Sequence, residues 1–202
     1  MDRKPASRVR AALIWISICA SIGVPLSAAA LSPLLAWREP VYILAGFAGI
    51  VAMGLLFVQP LLAGGHLPGL VKRQGHRLIG GVLVAAVVIH VGALWLTSPP
   101  DVIDALTFSS PTPFSFWGVI AMWAVFASAL LAMLRRRLRL RPKTWKFVHL
   151  VFAAIIAIGT VLHAQLIQGT MEAMSKAALS VLVITATIKI IIDAKLWTRP
   201  KR

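Results

Sequence analysis

Cysteine is nearly absent: Cys19 is the only one in 202 residues. One thiol cannot close an internal disulfide, and it cannot supply a cysteine-based metal or iron-sulfur site. Cys19 lies within an apolar run and reads as a structural thiol. Acidic side chains are almost as scarce, six against 21 lysines and arginines, which leaves a formal net charge of +15. Such an excess can mark a nucleic-acid binder, but here the basic residues stand in clusters between apolar runs and form no aromatic-interleaved stripe. No nucleic-acid partner is expected. Polar sequence long enough for a separate soluble domain is also missing, since 13% of residues are charged and 59% hydrophobic. A mean hydropathy of +0.86 excludes water as the main solvent.

What is present is a succession of apolar runs, each near the ~17 to 25 residues that cross ~30 Å of hydrocarbon. Candidate spans cover 11–31, 41–63, 77–97, 115–134, 147–168 and 174–193. The expected fold is an all-α membrane protein, a single bundle of about six transmembrane helices over residues 1–202 with membrane lipid around it. Connector charge orients it. Arg3, Lys4, Arg8 and Arg10 precede the first span; Lys72, Arg73 and Arg77 lie before the third; Arg135, Arg136, Arg137, Arg139, Arg141, Lys143 and Lys146 join the fourth to the fifth. With Lys189, Lys195, Arg199, Lys201 and Arg202, 19 of the 21 basic residues fall on one side, leaving Arg38 and Lys176 on the other. The positive-inside rule assigns the rich side to the cytoplasm, so both termini are expected inside, in a bacterial-type inner membrane.

The first span also carries features of a cleavable signal peptide, a basic start followed by Ser27, Ala28, Ala29 and Ala30. Apolar sequence continues past that point, which favours a retained helix. Lys189, four residues from Asp193, is expected to snorkel to the interface. Residues 98–114 contain Pro99, Pro100, Pro111 and Pro113 and are expected to form a non-helical surface loop.

Four of the five histidines form two pairs of identical spacing. His76 and His90 end the stretch HRLIGGVLVAAVVIH, and His149 and His163 end HLVFAAIIAIGTVLH, each pair 14 residues apart. Four helical turns take about 14.4 residues, so both members project from nearly one face, about 21 Å apart along the axis. The third and fifth spans run in the same direction, which puts His76 level with His149 and His90 level with His163. Two facing helices would then present two stacked bis-imidazole sites.

A haem iron has four equatorial nitrogens already and takes neutral imidazole axially, so two facing histidines suffice for each. A structural zinc wants four clustered ligands, which this spacing does not supply. The sequence therefore points to two b-type haems, one held by His76 and His149 on the inner side and one by His90 and His163 on the outer. With both axial positions filled, the expected chemistry is outer-sphere electron transfer. Taken alone, His76 beside Arg77 and His149 near Lys146 could be interfacial histidines; His90 and His163 lie in apolar interior, where ionisable residues are usually functional.

Other residues carry less. Lys72, Arg73, Arg77, Lys143 and Lys146 could pair with propionates of the inner haem, although topology alone accounts for them. Gly80, Gly81 and Gly159 would let a macrocycle or another helix approach the backbone. His66, within GGHLPG, reads as a solvated loop residue. Trp37, Trp95, Trp117, Trp123, Trp145 and Trp197 read as an interfacial aromatic belt.

On GHRLIGGVLVAAVVIH and WKFVHLVFAAIIAIGTVLH, the chain resembles the ferric-reductase-like transmembrane domain family, the membrane part of ferric reductases and NADPH oxidases. The resemblance implies six helices, two stacked b haems, and His76, His90, His149 and His163 as axial ligands. It also implies electrons passed from a cytoplasmic flavin to an acceptor outside. The chain shows no G-x-G-x-x-G loop in a strand-turn-helix context. A separate flavin reductase or a quinol is therefore the expected donor, with ferric iron or a periplasmic redox protein as acceptor. In size the chain is also similar to the haem-binding membrane subunit of the bacterial periplasmic methionine sulfoxide reductase system. The reading is thus the electron-transfer component of an oxidoreductase. Its rivals are a haem-free scaffold or transporter accessory, and a quinol-linked cytochrome b subunit of a respiratory complex.

Overall fold

A computed structural model describes residues 5–69 and 71–194. Arg3, Lys4, Lys195, Trp197, Arg199, Lys201 and Arg202 lie outside the described residues, as does the side chain of Lys72. Every regular element among the described residues is helical: α1 (Pro5–Ala30), a short 3-10 turn (Pro33–Leu35), α2 (Pro40–Gly64), α3 (Lys72–Thr97), α4 (Pro99–Leu106), α5 (Pro113–Leu134), α6 (Pro142–Leu166) and α7 (Ala173–Asp193). All the α-helices but α4 are long and apolar enough to cross a membrane, six candidate spans in all.

The helix ends follow local chemistry. Proline opens α2, α5 and α6 at the first turn, where its missing N–H would have no intrahelical acceptor in any case. Gly65 closes α2 in the left-handed conformation, φ 75°, which glycine adopts at no steric cost. At the start of α7 the Glu172 carboxylate accepts from the Ser175 N–H at 2.9 Å and from its hydroxyl at 2.7 Å, satisfying one of the free donors of the first turn.

Residues 98–114 correct the expectation of a loop without helix, because α4 occupies Pro99–Leu106. Its two prolines stand at the first positions, where they favour helix, and the Asp101 carboxylate accepts from the Ser98 hydroxyl. Val102 is buried and ties the helix to the bundle.

Five helices close a ring. α2 packs most extensively on α3 and α5 on α6, α7 bridges α2 and α6, and a lighter α3 and α5 contact completes the circuit. α3 and α6 stand opposite each other and touch little. α1 lies outside, against α2 and α7. Half of the apolar stretch of α2 is buried, against 11% of that of α1, so α2 is the central helix and α1 the peripheral one. Met53, Leu56, Phe57 and Leu62 of α2 meet Leu179 and Val183 of α7 and Ile156 and Ala157 of α6 in the core. Outward, large apolar side chains such as Leu78, Leu96 and Ile192 are exposed, the surface a lipid solvent selects. Several hydroxyls inside the spans return to their own helix, as Thr187 Oγ1 does to the Val183 carbonyl at 2.8 Å.

Candidate cofactor site

The two histidine pairs meet across the ring as their spacing predicts. His76 of α3 and His149 of α6 have ring centroids 6.1 Å apart with planes at 79°. His90 and His163 repeat the arrangement at 6.3 Å and 82°. Helical phase explains the repetition: 14 residues return each side chain to nearly the same face, so two helices opposed at one level are opposed at the other.

Each imidazole is held through Nδ1 by the helix beside its own. His90 donates to the Ala45 carbonyl of α2 at 2.7 Å and His163 to the Phe114 carbonyl of α5 at 2.9 Å. His76 donates to the Gln59 carbonyl of α2 at 3.3 Å, and Gln59 Nε2 donates back to the His76 carbonyl at 3.3 Å. His149 Nδ1 lies 3.0 Å from the Ser128 hydroxyl of α5. A carbonyl only accepts, so three rings carry their proton on Nδ1 and turn a lone pair outward on Nε2, the state in which imidazole binds a metal.

Two glycines make room for these rings. A Cβ on Gly118 would stand 2.6 Å from His163 Nδ1, and one on Gly49 would stand 3.1 Å from His90 Nδ1. Both lie four residues after the carbonyl that holds the ring, Phe114 and Ala45. The sequence reading missed this pair, although a small residue one turn beyond an accepting carbonyl was its signal. Of the glycines it did single out, Gly159 serves the packing of α6 on α5, its Cβ position 3.1 Å from Ala121 Cβ. Gly80 faces Gln59, and Gly81 has nothing within 4 Å.

Trp145, expected in the aromatic belt, instead stacks on His149, with centroids 5.2 Å apart and planes at 9°. The Arg135 guanidinium lies over the indole, 4.2 Å from its centroid. Phe114 meets His163 edge-on at 5.8 Å. Beside the first pair two buried polar atoms have no partner, Gln59 Oε1 and Trp145 Nε1. Buried polar atoms without partners are uncommon and mark a place for a bound group or water.

The other candidates fall elsewhere. Lys146 Nζ donates to the Ala194 carbonyl, near the end of α7. Arg73 and Arg77 are exposed at the start of α3. His66 stands in the turn after α2, Nε2 3.8 Å from Asp193 Oδ2. Lys189 pairs with the same carboxylate at 2.7 Å.

The donor set fits haem. Two imidazoles bound end-on to one iron, at about 2 Å per metal–nitrogen bond with half a ring behind each nitrogen, have centroids roughly 6 Å apart. Both pairs meet that requirement. Among the described residues no three His, Cys, Asp or Glu side chains gather in one group, so each level offers two ligands, the number that a porphyrin leaves open.

Fold and site together define a multi-pass helical membrane protein that presents paired histidines across a bundle. Residues 69–160 match the family model of the ferric reductase like transmembrane component, and this part of the chain is similar to that family. Membrane electron transfer is the role this match supports. It takes in His76, His90 and His149 and ends three residues before His163, whose place in the site rests on geometry. Comparisons with curated proteins and with solved structures give no match.

Proposed function

We propose that the chain is a di-haem b-type cytochrome that carries electrons across a bacterial-type inner membrane, its basic face toward the cytoplasm. His76 and His149 would hold the inner haem, and His90 and His163 the outer. Haem when bound supplies one-electron cycling between ferric and ferrous iron. The residues do the rest. The imidazoles bind, the carbonyls of Ala45, Gln59 and Phe114 hold the tautomer that leaves Nε2 available, and the apolar helices keep water from the ligands. A flavin reductase or a quinol on the basic side is the proposed donor, and ferric iron or a redox protein on the opposite side the proposed acceptor.

One observation carries the reading: two histidine pairs at matching separations and matching near-perpendicular planes. Random packing has no reason to repeat both. A pyridine haemochrome assay on protein purified from haem-replete cells is expected to count two haems per chain. A count of one removes one level, and a folded preparation without haem overturns the proposal.

A further inference from the structure

The four imidazoles are not held alike. His90 and His163 give their Nδ1 protons to carbonyls over short distances, 2.7 and 2.9 Å. At the other level the His76 bond is longer, 3.3 Å, and His149 meets a hydroxyl. A hydroxyl both donates and accepts, so Ser128 does not impose a tautomer as a carbonyl does. Ser128 is buried, 8% exposed, and His149 is its hydrogen-bond partner. Several other hydroxyls in this bundle return their proton to the carbonyl one turn back, as Ser180 does to Lys176, the usual habit of serine in a helix. Ser128 Oγ instead faces the imidazole, where it accepts the Nδ1 proton when Nε2 serves as the ligand.

The surroundings of His149 push in the same direction. Trp145 stacks on the ring and Arg135 lies over the indole, so a fixed positive charge stands at this end of the site. The His90 and His163 rings contact the Ala45 and Phe114 carbonyls, the Phe114 ring and each other. A positive charge favours the less positive, ferrous state. An accepting partner at Nδ1 makes imidazole a stronger electron donor and favours the ferric state. That effect is strong twice over at the His90 and His163 level and weak at the other.

We propose that Ser128 is the positioning residue for His149 and gives the His76 and His149 site the weaker axial ligation, so that haem there has the higher reduction potential of the two. The inference rests on the di-haem reading. The change at each iron is one electron gained by ferric iron to give ferrous, with no proton taken up.

The test is an optical redox titration of the purified full chain, with haem counted beforehand. Two separate waves are expected. Ser128→Ala, which removes the acceptor, is expected to move the upper wave higher or to lose it with one haem, leaving the lower wave in place. Ser128→Thr keeps the hydroxyl and is expected to restore the native upper wave, which separates the hydrogen bond from mere packing. Two haems in a single undivided wave would overturn the assignment. So would a Ser128→Ala variant in which the lower wave moves, the upper wave falls, or neither changes. Fewer than two haems in the unaltered chain is a different failure, that of the di-haem reading itself.

Discussion

Gly118 shows how closely one residue can be dictated by another. An added methyl group would stand 2.6 Å from His163 Nδ1, against 3.1 Å for the equivalent methyl at Gly49 and His90. The first distance forces the ring away from the Phe114 carbonyl; the second asks for a shift of a few tenths of an ångström. Gly118→Ala is therefore expected to lose most haem from the His90 and His163 level, and Gly49→Ala a smaller share, as read by haem per chain in purified protein. Equal retention in both would sink the cradle argument. The ring planes supply a separate expectation. If the proposed haems take these rings as ligands, planes at 79° and 82° would leave two iron d orbitals almost degenerate, and the ferric protein should give strongly anisotropic low-spin EPR signals. Rhombic signals of the kind that parallel rings produce would contradict these angles.

At the scale of elements, the helix starts are where chemistry is most exposed. Glu172 caps α7, and the Ser175 hydroxyl and N–H hold its carboxyl below the usual carboxylate range. A carboxyl whose folded value is depressed contributes above its unfolded value, and the contribution is lost as pH falls through the folded one. The protection factors of the first amides of α7, taken against the slower intrinsic exchange in acid, should accordingly fall as the carboxyl protonates. Glu172→Gln should flatten that dependence, and an unchanged acid response in the variant would count against the cap. The spans themselves are legible in the sequence, because a lipid-crossing helix announces itself by length and hydropathy alone. α4 is not, since prolines read as breakers unless the first turn is known to begin there. The basic residues offered for propionates are legible as topology but not as contacts: Lys146 turns to the Ala194 carbonyl, a choice set by where α7 ends.

In the whole molecule, α2 with α3 and α5 with α6 form two hairpins of the same design, each holding its histidines through the companion helix. The 14-residue spacing makes the pairing of levels readable from the sequence, because helical phase is fixed by geometry. The supports are not readable there: Ala45, Gln59, Phe114 and Ser128 act through atoms on other helices, and three of them hold the ring through a backbone carbonyl. Trp145 departs from its expected place for a related reason. Its position near an interface suits a belt, and only the approach of His149 four residues later turns it inward.

α3 and α6 face each other yet scarcely touch, which has a bearing on how the molecule comes together. Each hairpin brings one histidine of both pairs, so neither can complete a pair by itself. On the proposed di-haem reading, a porphyrin grasped from both sides would act as a cross-brace, and loading the cofactor and closing the bundle would become a single event, one that a cell short of haem would leave incomplete.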